Sequence, residues 1–166
     1  MDRDTLIAVM DMVRTRLLGS LEAIEKSGQD LTKVFTWRPG PGRAHIAWQA
    51  MHCAATHDKY LHVNIKGLPS PTDPALVANF GGGSTPSDQT IPSLAAIRQA
   101  LETHYRAFRE YLSGLSPADL DRQVGPPDRR RTIAESAMLM AWHEAHHQGQ
   151  IHLTWNLYKA AHGLAT

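Results

Sequence analysis

The sequence predicts an all-α protein, an up-down four-helix bundle, on three observations. Apolar residues recur at steps of three and four in four long segments. Stretches rich in glycine, proline and serine separate those segments. No segment alternates apolar and polar residues as a half-buried strand does. The 166 residues suit one domain, residues 1–166, long enough to bury a sizeable core.

The first helix is expected from Asp4, as its cap, to about Ile24. Its stripe is Leu6, Met10, Val13, Leu17, Leu21 and Ile24. Ser27 to Asp30 ends it, and Trp37 to Gly42 is a turn-rich connector. A second helix runs from about Arg43 to Ile65, with Ile46, Ala50, Ala54 and Leu61 as its stripe and His57 inside it. Gly67 to Gln89, with four prolines and the run GGGS, is too long for a simple connection. It suits a lid, a partner-binding loop or an insertion. A third helix begins at Thr90 or Ser93 and runs to about Ser113. Leu94, Ile97, Leu101, Tyr105, Phe108 and Leu112 form its stripe, with His104 at the border and Gly114 as its stop. Ser116 to Asp119 caps a short turn, and Gly125-Pro126-Pro127 breaks the chain before the last helix.

That last helix, Arg130 to Ala161, carries the chemistry. Thr132 and Glu135 form a T-x-x-E capping box at its front. Without an interior break before Gly149, it is about 45 Å long at 1.5 Å per residue. Four of the chain's ten histidines lie between His143 and His152. His143 and His147 stand i and i+4, one above the other on one face, so two imidazoles share one metal ion without bending the backbone. The alternative reading is a polar stripe facing solvent.

Composition excludes several classes. A net charge of +1 favours neither nucleic acid nor an anionic membrane. MDRDTLIAVM does not read as a signal peptide, and no apolar run approaches a membrane span. The single cysteine, Cys53, excludes an intrachain disulfide and points to a cytoplasmic protein.

HEAHH also matches H-E-x-x-H, the zinc protease motif, in which Glu144 would activate a metal-bound water. No Glu follows Glu144, however, and Gly149 and His152 each fall one position early for the longer motif. The third ligand must therefore come from upstream, on another helix of the bundle. His52, His57 and His104 are the candidates, and periodicity slightly favours His57.

The segments RAHIAWQAMHCAATHDKYL, Arg43 to Leu61, and MAWHEAHHQGQI, Met140 to Ile151, resemble the DinB/YfiT superfamily of four-helix-bundle metalloproteins. The resemblance implies one divalent transition metal ion held by His52, His143 and His147. The chain departs from the family pattern at His45, where a small polar residue is usual, which leaves room for a different or extra ligand. Three neutral imidazoles leave open positions, as a catalytic site does, and suit zinc, nickel, iron or copper, zinc and nickel first. The resemblance further implies a metal-dependent enzyme, with thiol-dependent S-transferase chemistry on a small electrophile as the leading reading. The expected partners are a small-molecule substrate, a low-molecular-weight thiol and a second copy in a homodimer. A metal-dependent hydrolase and a non-catalytic, stress-associated metal-binding protein are the alternatives. Gln150 continues the ligand stripe, whereas Glu144 and His146 lie about 100° away from it. Cys53 is expected to be a buried bystander.

Overall fold

The computed structural model describes residues 2–165. Helix α1 spans Arg3–Glu25, and its cap is Asp2 rather than Asp4: the Asp2 carboxylate accepts from the Thr5 amide at 2.9 Å. Asp4 sits instead in the first turn, where a carboxylate faces the positive end of the helix dipole. The short α2, Leu31–Thr36, follows. Helix α3 spans Ile46–Lys59 and starts later than expected, because the Pro41-Gly42 turn delays it. Its cap is His45, whose Nδ1 accepts from the Trp48 amide at 3.0 Å. Tyr60–Ile65 continue α3 as a wider π turn.

The expected long loop contains α4, Pro74–Phe80. Ser93 caps α5, Leu94–Ser113, and a capping box of Ser116 and Asp119 opens α6, Pro117–Leu120. The two-residue strands β1, Gln123–Val124, and β2, Arg131–Thr132, pair antiparallel around Gly125, whose φ of +91° takes the left-handed conformation open to glycine. The alternation rule could not find strands this short. Helix α7 spans Ile133–Ala161 behind the expected capping box of Thr132 and Glu135.

The four long helices form the bundle. The stripes read from periodicity are its core: Leu17, Leu21, Ile24, Ile46, Ala50, Ala54, Leu61, Ile97, Leu101, Phe108 and Leu112 are all fully buried. Each such large side chain contributes about 1.5–3 kcal/mol of hydrophobic stabilisation. α1 packs on α7 and α5, and α3 packs on α5 and α7. Paired residues give the directions. Arg14 meets Glu144 and Ser20 meets Gln148, so α1 and α7 are parallel. Asp11 meets Arg109 and Glu25 meets Arg98, so α1 and α5 are antiparallel. Gln49 meets His147 and His52 meets His143, so α3 and α7 are antiparallel. The order is therefore up, down, down, up. The helical bundle is as expected, but strict alternation is broken where α3 and α5 run side by side in one direction.

That parallel pair explains the length of residues 66–93: the chain must return along the bundle before α5 starts. The return is pinned along α3. Asp58 is buried and accepts from the Ser70 hydroxyl, with His62 Nδ1 at 2.8 Å and His104 Nδ1 at 3.4 Å. Burial alone would raise the Asp58 pKa, but hydrogen bonds from His104, Ser70 and Thr72 outweigh it and hold the carboxyl below its usual range. Further on, Trp48 Nε1 donates to the Asn79 carbonyl at 3.1 Å, and His45 Nε2 donates to the Ser87 carbonyl at 3.1 Å. Among the described residues no helix is long and apolar enough to cross a membrane.

Candidate metal centre

Three imidazoles converge between α3 and α7. His52, His143 and His147 each present a ligand atom, and these atoms lie within 4.8 Å of one another, the one such group of His, Cys, Asp and Glu among the described residues. His52 and His147 are buried and His143 is half-buried. Two helical rules assemble the group: the i, i+4 pair stacks on one face of α7, and the antiparallel partner places His52 at the level of His143. Their Nε2 atoms are 3.1 Å apart. Two nitrogens bound to one tetrahedral ion at about 2.0–2.1 Å stand about 3.3 Å apart.

Neighbouring groups set which nitrogen faces the centre. His52 Nδ1–H donates to the Phe80 carbonyl at 2.6 Å, so Nε2 carries the free lone pair. The His147 Nδ1–H points at Gln49 Oε1, 3.4 Å away. Such outer partners fix the tautomer and aim of metal-binding histidines. Trp48 stacks on His52 with ring centres 4.5 Å apart and planes 9° apart, which restrains the ring further. The donor set fits a divalent transition metal: neutral nitrogen lone pairs, oriented and facing one point.

Burial holds the three imidazoles neutral. The His143 pKa is depressed to about 4, by burial first and then by repulsion from His52 and His146. His147 is depressed to about 3, by burial and then by His143 and His52. His52 is also lowered by burial, against the Phe80 hydrogen bond. Each folded value lies below the unfolded one of about 6.5. The unfolded chain therefore binds more protons as pH falls, and the contribution of these groups to stability is complete above about pH 6.5 and lost toward pH 4 and 3. Protons likewise compete with a metal only near the folded values. Apparent metal affinity is expected to fall steeply toward about pH 4 and 3, where His143 and His147 take up protons. Competition against a chromogenic chelator measures this, and an affinity unchanged between about pH 5 and about pH 3 would contradict it.

The other histidines are elsewhere. His57 is five residues, about 140°, around α3 from His52, and sits with its Nε2 3.3 Å from Glu144 Oε2. The pull of periodicity toward His57 was a signal of burial and not of the histidine cluster. His45 is a helix cap and a pin for Ser87. His104 belongs to the Asp58 cluster. His146 stacks on Trp142 and accepts from Gln150 Nε2 at 2.8 Å. Cys53 is fully buried, and burial pushes its thiol pKa well up, so it is no nucleophile.

Glu144 turns away into the bundle. Its Oε2 accepts from Arg14 Nη2 at 2.8 Å, with both side chains almost completely buried. Arg14 lies over the Tyr105 ring at 4.5 Å, and Tyr105 donates to Asp11 at 2.6 Å. Burial raises the Glu144 pKa to about 7, against the attraction of Arg14. His57, Glu144, Arg14 and Tyr105 thus bring one polar side chain from each long helix to the middle of the core. A protease's general base would have to face the metal, and Glu144 is held by Arg14 instead. Arg14, Gln49 and the Phe80 carbonyl were missed in the sequence. Gln49 has a signal, since it precedes His52 by three on the same helix face. Arg14 has one too, four residues after Met10 beside the apolar stripe. A backbone carbonyl has none.

The family model of the DinB superfamily matches residues 10–151. The chain belongs to the DinB superfamily. Both segments that carried the resemblance lie within the match, as does the whole histidine cluster of this DinB-superfamily chain. No curated protein matches it.

Proposed function

We propose that this DinB-superfamily protein binds one divalent transition metal ion, zinc or nickel, through His52, His143 and His147. We further propose that it serves thiol-dependent transfer to a small electrophile. The observation that carries the reading is the convergence of three neutral, oriented imidazoles with no carboxylate or thiolate among them. Bound there, the ion would supply undiminished Lewis acidity and lower the pKa of a thiol at its open position, giving thiolate at neutral pH. The chain's own side chains favour a nucleophile from outside. Cys53 is sealed in the core, and Glu144 is engaged by Arg14. What the protein contributes is orientation: the Phe80 carbonyl and Gln49 aim His52 and His147, and Trp48 covers one face of His52.

The test supplies metal-loaded protein with several cellular thiols and a chromogenic electrophile. Metal-dependent acceleration with one thiol is expected. Ester or amide hydrolysis without thiol would favour the hydrolase instead, and inactivity in both assays would favour a non-catalytic metal-binding protein.

A homodimer in the cytoplasm belongs to the same proposal. Trp155 and Tyr158 are core residues, but Trp142 is 61 % exposed, Met138 48 % and Leu157 41 %. Leu6, Val9, Val13, Met138 and Trp142 line an apolar groove of about 280 Å³ between α1 and α7. Its apolar character supports docking of a second copy. Sedimentation at micromolar concentration should give a dimer that Trp142→Glu dissociates; a wild-type monomer would refute it.

A further inference from the structure

A second recessed site lies where the π turn after α3 meets the β1–β2 hairpin and the start of α7. It is a cavity of about 150 Å³ lined by Lys59, Tyr60, Asn64, Arg129, Arg131 and Ser136 among others. At about 30 Å³ per water it has room for roughly five waters, or one small ionic group. Its charge is of one sign: three cations and no acidic side chain line it. Lys59 and Arg131 have no carboxylate within ion-pair distance among the described residues, and Arg129 has only its neighbour Asp128, at 3.1 Å. Ser136, 2 % exposed, brings a hydroxyl to the wall of the recess. It stands in the first turns of α7, where the helix dipole favours negative charge.

Two backbone features build the cavity. The π turn begins at Tyr60, at the cavity wall, and π turns recur at functional sites. The Gly125 amide donates to the Asn64 carbonyl at 2.9 Å, which ties the hairpin to that turn. The left-handed Gly125 brings the chain round so that Arg129 and Arg131 both reach the recess.

We propose that this recess binds an oxyanion, the carboxylate or phosphate group of a small molecule. Two guanidinium groups suit paired hydrogen bonds to such a group, and the Lys59 ammonium adds a point charge. Ser136 lines the recess and has a hydroxyl hydrogen to donate to such a group. The site also has a fixed relation to the histidine cluster. Lys59 follows His52 by seven residues on α3, and Ser136 precedes His143 by seven on α7. Seven residues return a side chain to nearly the same helix face, about 10 Å along the axis. Because α3 and α7 are antiparallel, both displacements point the same way. Resting on the metal reading above, the anionic end of a co-substrate held here would lie about 10 Å from the histidines.

The experiment titrates the protein with inorganic phosphate and, separately, with succinate, at constant ionic strength, following backbone amide shifts by NMR. Saturable shifts at Asn64, Gly125 and Ser136 are expected with at least one of them, and the stronger ligand tells phosphate from carboxylate. Arg131→Gln and Lys59→Gln, both at solvent-accessible positions, should each weaken binding by about tenfold, the scale of one charge-assisted hydrogen bond. His143→Ala should leave it unchanged, so failure of the metal reading would not touch this result. Linear shifts spread over many basic residues would mean an adventitious ion only. That outcome, the absence of saturable shifts, or unchanged affinity in both charge variants would overturn the proposal.

Discussion

Replacing His143 or His147 with alanine is expected to abolish metal binding. Each substitution would remove one of the three proposed ligands, and two nitrogens alone do not define a site. Losing an outer partner of a metal ligand already weakens affinity by about 10–100-fold, so loss of a ligand should exceed about 100-fold. Gln49→Ala should fall in the lower range, because it frees the His147 ring without deleting it. His52→Ala should match the α7 variants, whereas His57→Ala and His45→Ala should keep the metal. The check is elemental analysis of tag-free protein after dialysis. An empty site in His57→Ala with a full one in His52→Ala would reverse the helix assignment.

The second large effect is on stability. Arg14→Ala should destabilise the fold by about 3–5 kcal/mol, the cost of leaving one member of a buried ion pair unpaired. Glu144 would keep its buried carboxyl without the guanidinium 2.8 Å away, and Tyr105 would lose the cation over its ring. Replacing both partners together, as Arg14→Met with Glu144→Leu, should recover most of the loss, since no charge is then left buried. Urea unfolding of the three variants measures this. A single-variant loss under about 1 kcal/mol, or a double variant no better than Arg14→Ala, would show that the pair is not coupled as the geometry implies.

Much of this was legible in the sequence because it is local. Helical stripes come from a 3.6-residue period, and the residues they picked out on α1 and α5 are buried in the structure, except the half-buried Leu94. The Thr132/Glu135 box fixed the start of α7 within a few residues. His143 and His147 share a face by spacing alone. What depends on tertiary arrangement was not legible. A period reports burial without saying against which neighbour, so His57 and His52 could not be separated by it; the family resemblance, and not the wheel, pointed to His52. The parallel run of α3 and α5 left only an indirect trace, the excess length of Gly67 to Gln89. That segment's role as a crossover pinned by Asp58, Trp48 and His45 rests on contacts far apart in the chain. The Asp2 cap was missed because Asp4 offers the same chemistry two residues later.

X-ray absorption at the metal edge reads the ligand set itself. Protein purified without an affinity tag and loaded with zinc should show a first shell holding three imidazole nitrogens at about 2.0–2.1 Å, and His52→Ala should remove the imidazole signal along with the metal. A shell containing sulfur, a shell with fewer than three imidazoles, or the absence of a stoichiometric ion would contradict a site made of His52, His143 and His147.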